Sequence, residues 1–364
     1  MHVLVTGAAG LIGSEVTALL AAAGHSVTGL VRSNLQLVRN DRTPIKTSGW
    51  RGSPPPAGKV AIVAGDVSLP DLGLGASAYE RLASSLDLIV HCAAVTQFAA
   101  PPELHARVNV AGTANVLALA RSGRPHGIPL VHVSTAYVCG DSEGPVAEDM
   151  PIRSDGFANG YEASKASGER LVEQARREGM AIAVARPSIV MGDSRTGSIQ
   201  NFCDVYRFIR LVAEGSIRSL AVAPHATLDL VPVDYVSAAI VAISERMDEA
   251  RGKNFHLVSG RPVPVGQFTA AIGAYPGLAS VALVEPRDFR LADIPRPEQR
   301  YQVAVAQLYG RYLQCNPVFS QDNLRRLTGA GCPLVDQAYF KRLLDYAVEQ
   351  GFIRPANGRL EQAA

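Results

Sequence analysis

Short runs of Val, Ile, Leu and Ala recur through the first half of the chain, at residues 3–6, 25–31, 60–64, 86–91, 129–134 and 181–186. They do not alternate apolar with polar positions. Each therefore predicts a strand buried on both faces, as in a parallel sheet covered by helices. Helical spacing of apolar positions fills residues 10–24 and most of the gaps between later runs. Strand, helix, strand in repetition predicts an α/β chain, a Rossmann-type doubly wound parallel sheet.

The second half is less regular. Residues 193–227 read as a loop and a helix carrying Arg207, Arg210 and Arg218, and residues 228–243 as a strand entering a helix. Residues 255–258 predict a strand returning to the sheet, and 301–313 and 337–350 are the clearest later helices. The pattern gives a dinucleotide-binding domain of residues 1–192 and 228–258, with a smaller, mostly helical substrate lobe of 193–227 and 259–364. The polar stretch 33–58, with Pro54-Pro55-Pro56, reads as a mobile surface loop without chemistry, and the tail after Pro355 as frayed.

The first run leads directly into Thr6-Gly7-Ala8-Ala9-Gly10-Leu11-Ile12-Gly13. A glycine triplet alone is a weak signal, but one set between a strand and a helix points to a dinucleotide pyrophosphate. One glycine permits the tight turn, one lets the backbone approach the phosphates, and one lets helix and strand pack. The helix N-terminus adds free N–H groups and a positive dipole end. The end of the second run chooses the cofactor. An acidic residue there would hold the ribose 2′-OH of NAD. The chain instead reads Gly29-Leu30-Val31-Arg32-Ser33, and Arg32 suits a 2′-phosphate, so NADP(H) is expected. Arg39 either assists or is a solvated charge. Asp66 and Val67 follow the third run, where the adenine would lie, and Asp66 can equally be a helix cap.

Tyr161 and Lys165 are four residues apart, which puts both on one face of a helix. An ammonium beside a phenol favours the phenolate and brings the tyrosine toward a working range. Such a pair can exchange a proton at a carbonyl while hydride moves. The spacing alone also suits a solvated helix face. Ser134-Thr135 end a buried run, where a hydroxyl has little packing reason to be, and Asn109 lies on a helix after the fourth run.

The four segments TGAAGLIG, NVAGT, STAYVCG and YEASK, in this order, resemble the extended short-chain dehydrogenase/reductases over roughly residues 1–260. The resemblance implies that Thr135 orients a substrate carbonyl, Tyr161 is the acid/base, Lys165 binds the ribose and tunes Tyr161, and Asn109 supports a proton-relay water. Thr135 is preferred to Ser134 because it lies five residues before Gly140, as the family's hydroxyl does before its glycine. Pro187, Ser188 and Ile189 would contact the nicotinamide carboxamide, and Ala93 and Ala94 complete the expected cofactor contacts.

Three stretches, residues 65–98, 186–197 and 228–243, narrow the resemblance to the thioester reductase and fatty acyl-CoA reductase branch, the male-sterility-type proteins. The run Gly-Asp-Val-Ser-x-Pro-x-Leu-Gly-Leu and the segment Asp193-Ser194-Arg195-Thr196-Gly197 carry most of that weight. The implied reaction is NADPH-dependent reduction of an acyl thioester, on coenzyme A or a carrier protein, to an aldehyde and onward to an alcohol if a second hydride follows. Two rival readings stand beside it. One is an extended-family enzyme acting on a sugar nucleotide or steroid-like ketone or alcohol; the other is a non-catalytic NADP-binding sensor, disfavoured because Tyr161 and Lys165 are both present.

Charge and cysteine usage add mainly exclusions. With 35 basic and 33 acidic residues the chain offers no bulk signal for a nucleic-acid partner. Cys92, Cys139, Cys203, Cys315 and Cys332 show no CxxC spacing and no metal is called for, so they read as reduced thiols. No apolar stretch reaches the about 20 residues of a membrane span and no leader pattern is visible. The expectation is a soluble cytoplasmic protein. A homodimer through the helices carrying Ala111 and Tyr161 is what the resemblance would allow.

Overall fold

The computed structural model describes residues 1–124 and 126–355, so the tail after Pro355 lies outside the described residues. Eight strands form the main sheet: β1 (His2–Thr6), β2 (Ser26–Val31), β3 (Thr47–Gly49), β4 (Val60–Ala64), β5 (Leu88–His91), β6 (Leu130–Val133), β7 (Ile182–Pro187) and β8 (Asn254–Leu257). Their order is β8-β7-β6-β5-β1-β2-β4-β3, and every pairing is parallel. The order reverses between β1 and β5, so the crevice outside their carboxyl ends is the topological switch point where ligands bind in such sheets.

Ten helices are used below: α1 (Leu11–Ala22), α2 (Ala76–Ser85), α3 (Gly112–Ser122), α4 (Gly160–Arg177), α5 (Asp204–Ala213), α6 (Val233–Glu245), α7 (Val265–Gly273), α8 (Arg296–Tyr309), α9 (Asp322–Thr328) and α10 (Gln337–Glu349). The lack of alternation in the strands now has its cause. Val3 and Val5 pack toward α1 and α6 with Val16, Leu20, Val236 and Ile240. Leu4 packs on the other face with Leu82, Val116 and Val172 from α2, α3 and α4.

A third core joins Met191, Tyr206, Ile209, Phe268, Tyr339 and Leu343, drawn from the chain after β7 and α5, α7 and α10. The segment Asp193–Gly197 ties that core to the sheet. Ser194 donates through its N–H (2.9 Å) and Oγ (2.6 Å) to Asp234 on α6, while its carbonyl accepts from Arg342 Nε at 2.9 Å. Tyr339 Oη donates to the Gly192 carbonyl at 2.7 Å. A Cβ at Gly197 (φ +73°) would fall 2.3 Å from the Arg342 carbonyl oxygen. This segment is therefore a brace between α6 and α10.

The stretch 33–58 differs from the mobile loop expected. Thr47–Gly49 pairs with β4 as the edge strand, Trp50 N–H donates to Ile62 O at 2.8 Å, and Asn40 is buried on α1. A three-residue strand of Thr, Ser and Gly, exposed on both faces, carries no apolar signature to read. Among the described residues no helix is long and apolar enough to cross a membrane.

Candidate active site

The glycine loop sits at the switch point, and packing dictates its composition. Gly7 holds φ +66°, and a Cβ there would lie 2.7 Å from Ala93 N and Cα at the end of β5. A Cβ on Gly13 would lie 2.2 Å from the Gly7 carbonyl oxygen. Gly10 is the N-cap of α1, whose first turn has no side-chain cap and no acidic residue. The N–H groups of Leu11, Ile12 and Gly13 thus open onto the crevice. Such an end is a ready anion site. Arg32 stands exposed at the end of β2, and among the described residues it makes no ion pair.

The neighbouring expectations fall out differently. Arg39 is held by an acidic partner. Its Nε and Nη2 donate to Glu15 Oε2 at 3.0 and 2.6 Å, and that pairing holds the guanidinium above its ordinary range. Thr6 is buried, with Oγ1 2.7 Å from His91 Nδ1 and accepting from Ala93 N–H at 3.3 Å. Its side chain fixes the end of β5 rather than facing the crevice. Asp66 Oδ1 accepts from Ser68 N–H at 2.8 Å, a turn cap, and Val67 is buried against Gly112. The loop beyond turns through left-handed residues Asp71 (φ 50°), Leu72 (φ 57°) and Gly73, with Leu72 fully buried. Asn115 clamps it by donating to the carbonyls of Val67 and Leu69 at 2.8 and 3.0 Å. Two non-glycine residues in that region are strained, and the burial of Leu72 holds them there.

Lys165 is buried, and its Nζ donates to the Val133 carbonyl at 2.7 Å. Burial brings its pKa down to about 8. Tyr161, near the start of α4, moves opposite to the expectation. Burial, reinforced by Glu162, holds its phenol well above the ordinary range, and the Thr135 hydroxyl pulls the other way. Lys165 is turned toward Val133 and does not offset this. Thr135 caps the turn Ala136–Cys139, with Oγ1 accepting from Tyr137 N–H at 3.3 Å. Ser134 is buried beside it.

Asn109 lies in a π-helical turn, Ala106–Ala111, of the kind often found at functional sites. Its amide is fully used: Oδ1 accepts from Val95 N–H at 2.8 Å, and Nδ2 donates to Val95 O at 2.9 Å and Ser164 Oγ at 2.8 Å. It binds the β5 loop to α4. Pro187 ends β7, and Ser188 Oγ donates to buried Asp229 at 2.6 Å. Asp229 also accepts from Ser259, so this hydroxyl too is held inside.

Three aromatic residues beyond the expected set join the site. The Phe98 ring lies 6.0 Å from that of Tyr161, 5.7 Å from that of Tyr312 and 6.1 Å from that of Tyr309. Tyr309 and Tyr312 come from the C-terminal part, where no motif points to them. Beside this wall opens a cavity of about 370 Å³ lined by Ala99, Leu104, Arg207, Leu211, Val305 and Leu308. The three arginines of residues 207–218 do not form a patch. Arg207 faces the cavity, Arg210 stacks over Phe352, and Arg218 meets Glu298 through its backbone.

A model of the NAD-binding male sterility protein family matches residues 5–240, more than half of the chain. A linear gramicidin synthase of Brevibacillus parabrevis is 28% identical over 382 residues, covering 96% of this chain and 7% of that protein. Carboxylic acid reductase of Mycobacterium tuberculosis (strain ATCC 25618 / H37Rv) is 30% identical over 278 residues, covering 70% of this chain and 23% of that protein. The chain thus spans a minor part of these curated relatives. Among solved structures, the terminal R domain from the myxalamid PKS-NRPS biosynthetic pathway superposes with a TM-score of 0.80 at 27% identity, over 97% of this chain and 92% of that one. A UDP-galactose 4-epimerase shares the fold, with a TM-score of 0.66 at 20% identity over 96% and 99%.

Proposed function

The chain belongs to the NAD-binding male sterility protein family and is an NAD(P)-dependent oxidoreductase, and on that premise we propose that it reduces an acyl thioester with NADPH. The observation that carries the reading is the placement of Tyr161, Thr135 and buried Lys165 beside a glycine cradle with an uncapped helix end. The residues fit a dinucleotide. Gly7 and Gly13 admit no Cβ against Ala93 and the Gly7 carbonyl and so keep the turn tight, the N–H groups of Leu11 to Gly13 would face the phosphates, and Arg32, without an ion pair among the described residues, would meet a 2′-phosphate. Ala93, Ala94 and Ile189 would line the crevice, while Thr6, Asp66, Val67, Pro187 and Ser188 support its walls.

When bound, the reduced nicotinamide supplies the hydride. Thr135 and Tyr161 place hydroxyls at the substrate carbonyl oxygen, where charge develops as the carbon becomes tetrahedral. A phenol held well above its ordinary range stays protonated, which suits a donor in the reductive direction. Lys165, its Nζ donating to the Val133 carbonyl, would meet the ribose from the floor of the site. Collapse of the hemithioacetal breaks the C–S bond, releasing aldehyde and thiol. One thioester, one NADPH and one proton give aldehyde, thiol and NADP⁺. The apolar cavity beside Phe98 would take the acyl group, with Arg207 and Asp204 at its polar side. Coenzyme A and a carrier protein would both present the thioester on a phosphopantetheine arm; several relatives are named as peptide synthetases.

The test is an NADPH-oxidation screen over acyl-CoA and acyl-pantetheine thioesters, with thiol titrated and aldehyde trapped. Equal appearance of thiol and NADP⁺ is expected. Turnover of sugar nucleotides with no thioester turnover would overturn the proposal.

A further inference from the structure

Glu162 follows Tyr161 directly and is buried in the first turn of α4. Part of its geometry is ordinary capping. Asn159 Oδ1 accepts from Glu162 N–H at 3.0 Å, and Glu162 Oε2 accepts from Ala158 N–H at 2.8 Å. A solvated glutamate would do that equally well. Capping does not explain the second oxygen, Oε1, which accepts a hydrogen bond from the Tyr312 hydroxyl, a residue 150 positions further on.

Tyr312 is buried, and its hydroxyl also accepts from Asn159 Nδ2 at 3.3 Å. Its ring stacks on Phe98 with an interplanar angle of 3°, and the Phe98 ring in turn stacks on Tyr161 at 27°. The Tyr312 ring packs in a T shape with that of Tyr137, two residues after Thr135, with centroids 5.0 Å apart. A closed circuit results: Tyr161, Phe98 from the β5 loop, Tyr312 from the C-terminal part, and Glu162, which returns to Tyr161 along the backbone.

We propose that Glu162 is a positioning residue of the reduction, fixing Tyr161 through Tyr312 and Phe98. This rests on the thioester-reductase reading for the identity of the proton donor. Around Glu162 the facing titratable groups are Tyr312, Tyr137, Cys139 and Cys315; among the described residues it has no cation partner within salt-bridge distance. Around Tyr161 they are Glu162, Asp204 and Cys203, with the Thr135 hydroxyl beside them. Burial raises Glu162 to about 7, against the pull of the Tyr312 hydroxyl and the Ala158 amide. Above that pH its charge opposes phenolate formation at Tyr161, which preserves the proton needed at the carbonyl oxygen.

The test compares wild type, Glu162→Gln and Tyr312→Phe on an acyl-pantetheine and on the corresponding free aldehyde, across pH 6 to about 10, with NADPH affinity and melting temperature measured alongside. Gln keeps both contacts if the Tyr312 hydroxyl turns to accept. The inflection of kcat/KM near pH 7 that ionisation of Glu162 gives the wild type is expected to be absent from this variant, because the titrating carboxylate is gone. Tyr312→Phe keeps the ring and the carboxylate, and a drop in kcat of about tenfold with unchanged NADPH affinity is expected from the lost positioning. If both variants keep the wild-type profile and kcat, Glu162 only caps α4 and the proposal fails. If Glu162→Gln melts early, Tyr312→Phe alone decides: a tenfold loss of kcat supports the proposal and a wild-type kcat overturns it. A wild type inert on both substrates overturns the parent reading and this proposal with it, an outcome distinct from an active wild type with unmoved variants.

Discussion

Lys165 shows how a single buried charge links stability to chemistry. Its pKa is about 8 in the folded chain against an ordinary 10.5, with burial as the cause. The folded state therefore binds this proton less tightly than the unfolded chain does. The resulting destabilisation is fully present below about pH 8 and is relieved as pH rises from about 8 to 10.5. Lys165→Met should abolish turnover yet raise stability at pH 7 by on the order of 1 kcal/mol, a gain that vanishes near pH 10.5. Thermal melts at the two pH values check this. Arg32 makes a simpler prediction. Arg32→Ala should raise KM for NADPH by roughly 10- to 100-fold and leave KM for NADH nearly unchanged, as expected for loss of a charge-assisted phosphate contact. An equal effect on both cofactors would remove Arg32 from the 2′-phosphate site.

At the scale of elements, the first βα unit is the most constrained part of the molecule. Gly13→Ala would push a methyl to 2.2 Å from the Gly7 carbonyl oxygen, and neither backbone can yield without moving β1 against α1. Loss of dinucleotide binding by at least tenfold is expected in a fluorescence titration with NADPH, with Gly10→Ala milder because its nearest neighbour is 3.2 Å away. This unit was legible in sequence because strand burial, glycine placement and helix start all follow from local rules. The six apolar runs became β1, β2, β4, β5, β6 and β7 within two residues at each end. The edge strand Thr47–Gly49 was not legible, because an exposed strand of small polar residues pairs through its backbone alone. Asn109 reads from the sequence as a candidate site residue, but its amide being spent on Val95 and Ser164 depends on a π turn that spacing does not encode.

Across the whole molecule, the site is completed by parts far apart in sequence. Phe98, Tyr161, Tyr309 and Tyr312 meet only because the chain after β8 folds back over the switch point, held by the brace from Ser194 to Asp234 and Arg342. The sequence assigns residues 259–364 to a substrate lobe, but no local pattern singles out Tyr312, whose partners lie 150 or more positions away. An apolar cavity lined by Tyr309 adjoins the aromatic wall that Phe98 shares with Tyr161, and the glycine loop sits at the switch point of the sheet. That combination suits the proposed reduction of a thioester carbonyl. The most direct measurement uses NADPH deuterated at the transferable C4 position with an acyl-pantetheine thioester, followed by mass analysis of the trapped aldehyde. Deuterium at the aldehyde carbon, with one thiol released per NADP⁺ formed and both lost in Tyr161→Phe, is the predicted result. NADPH oxidation without label in an aldehyde, or full labelling by Tyr161→Phe, would contradict it.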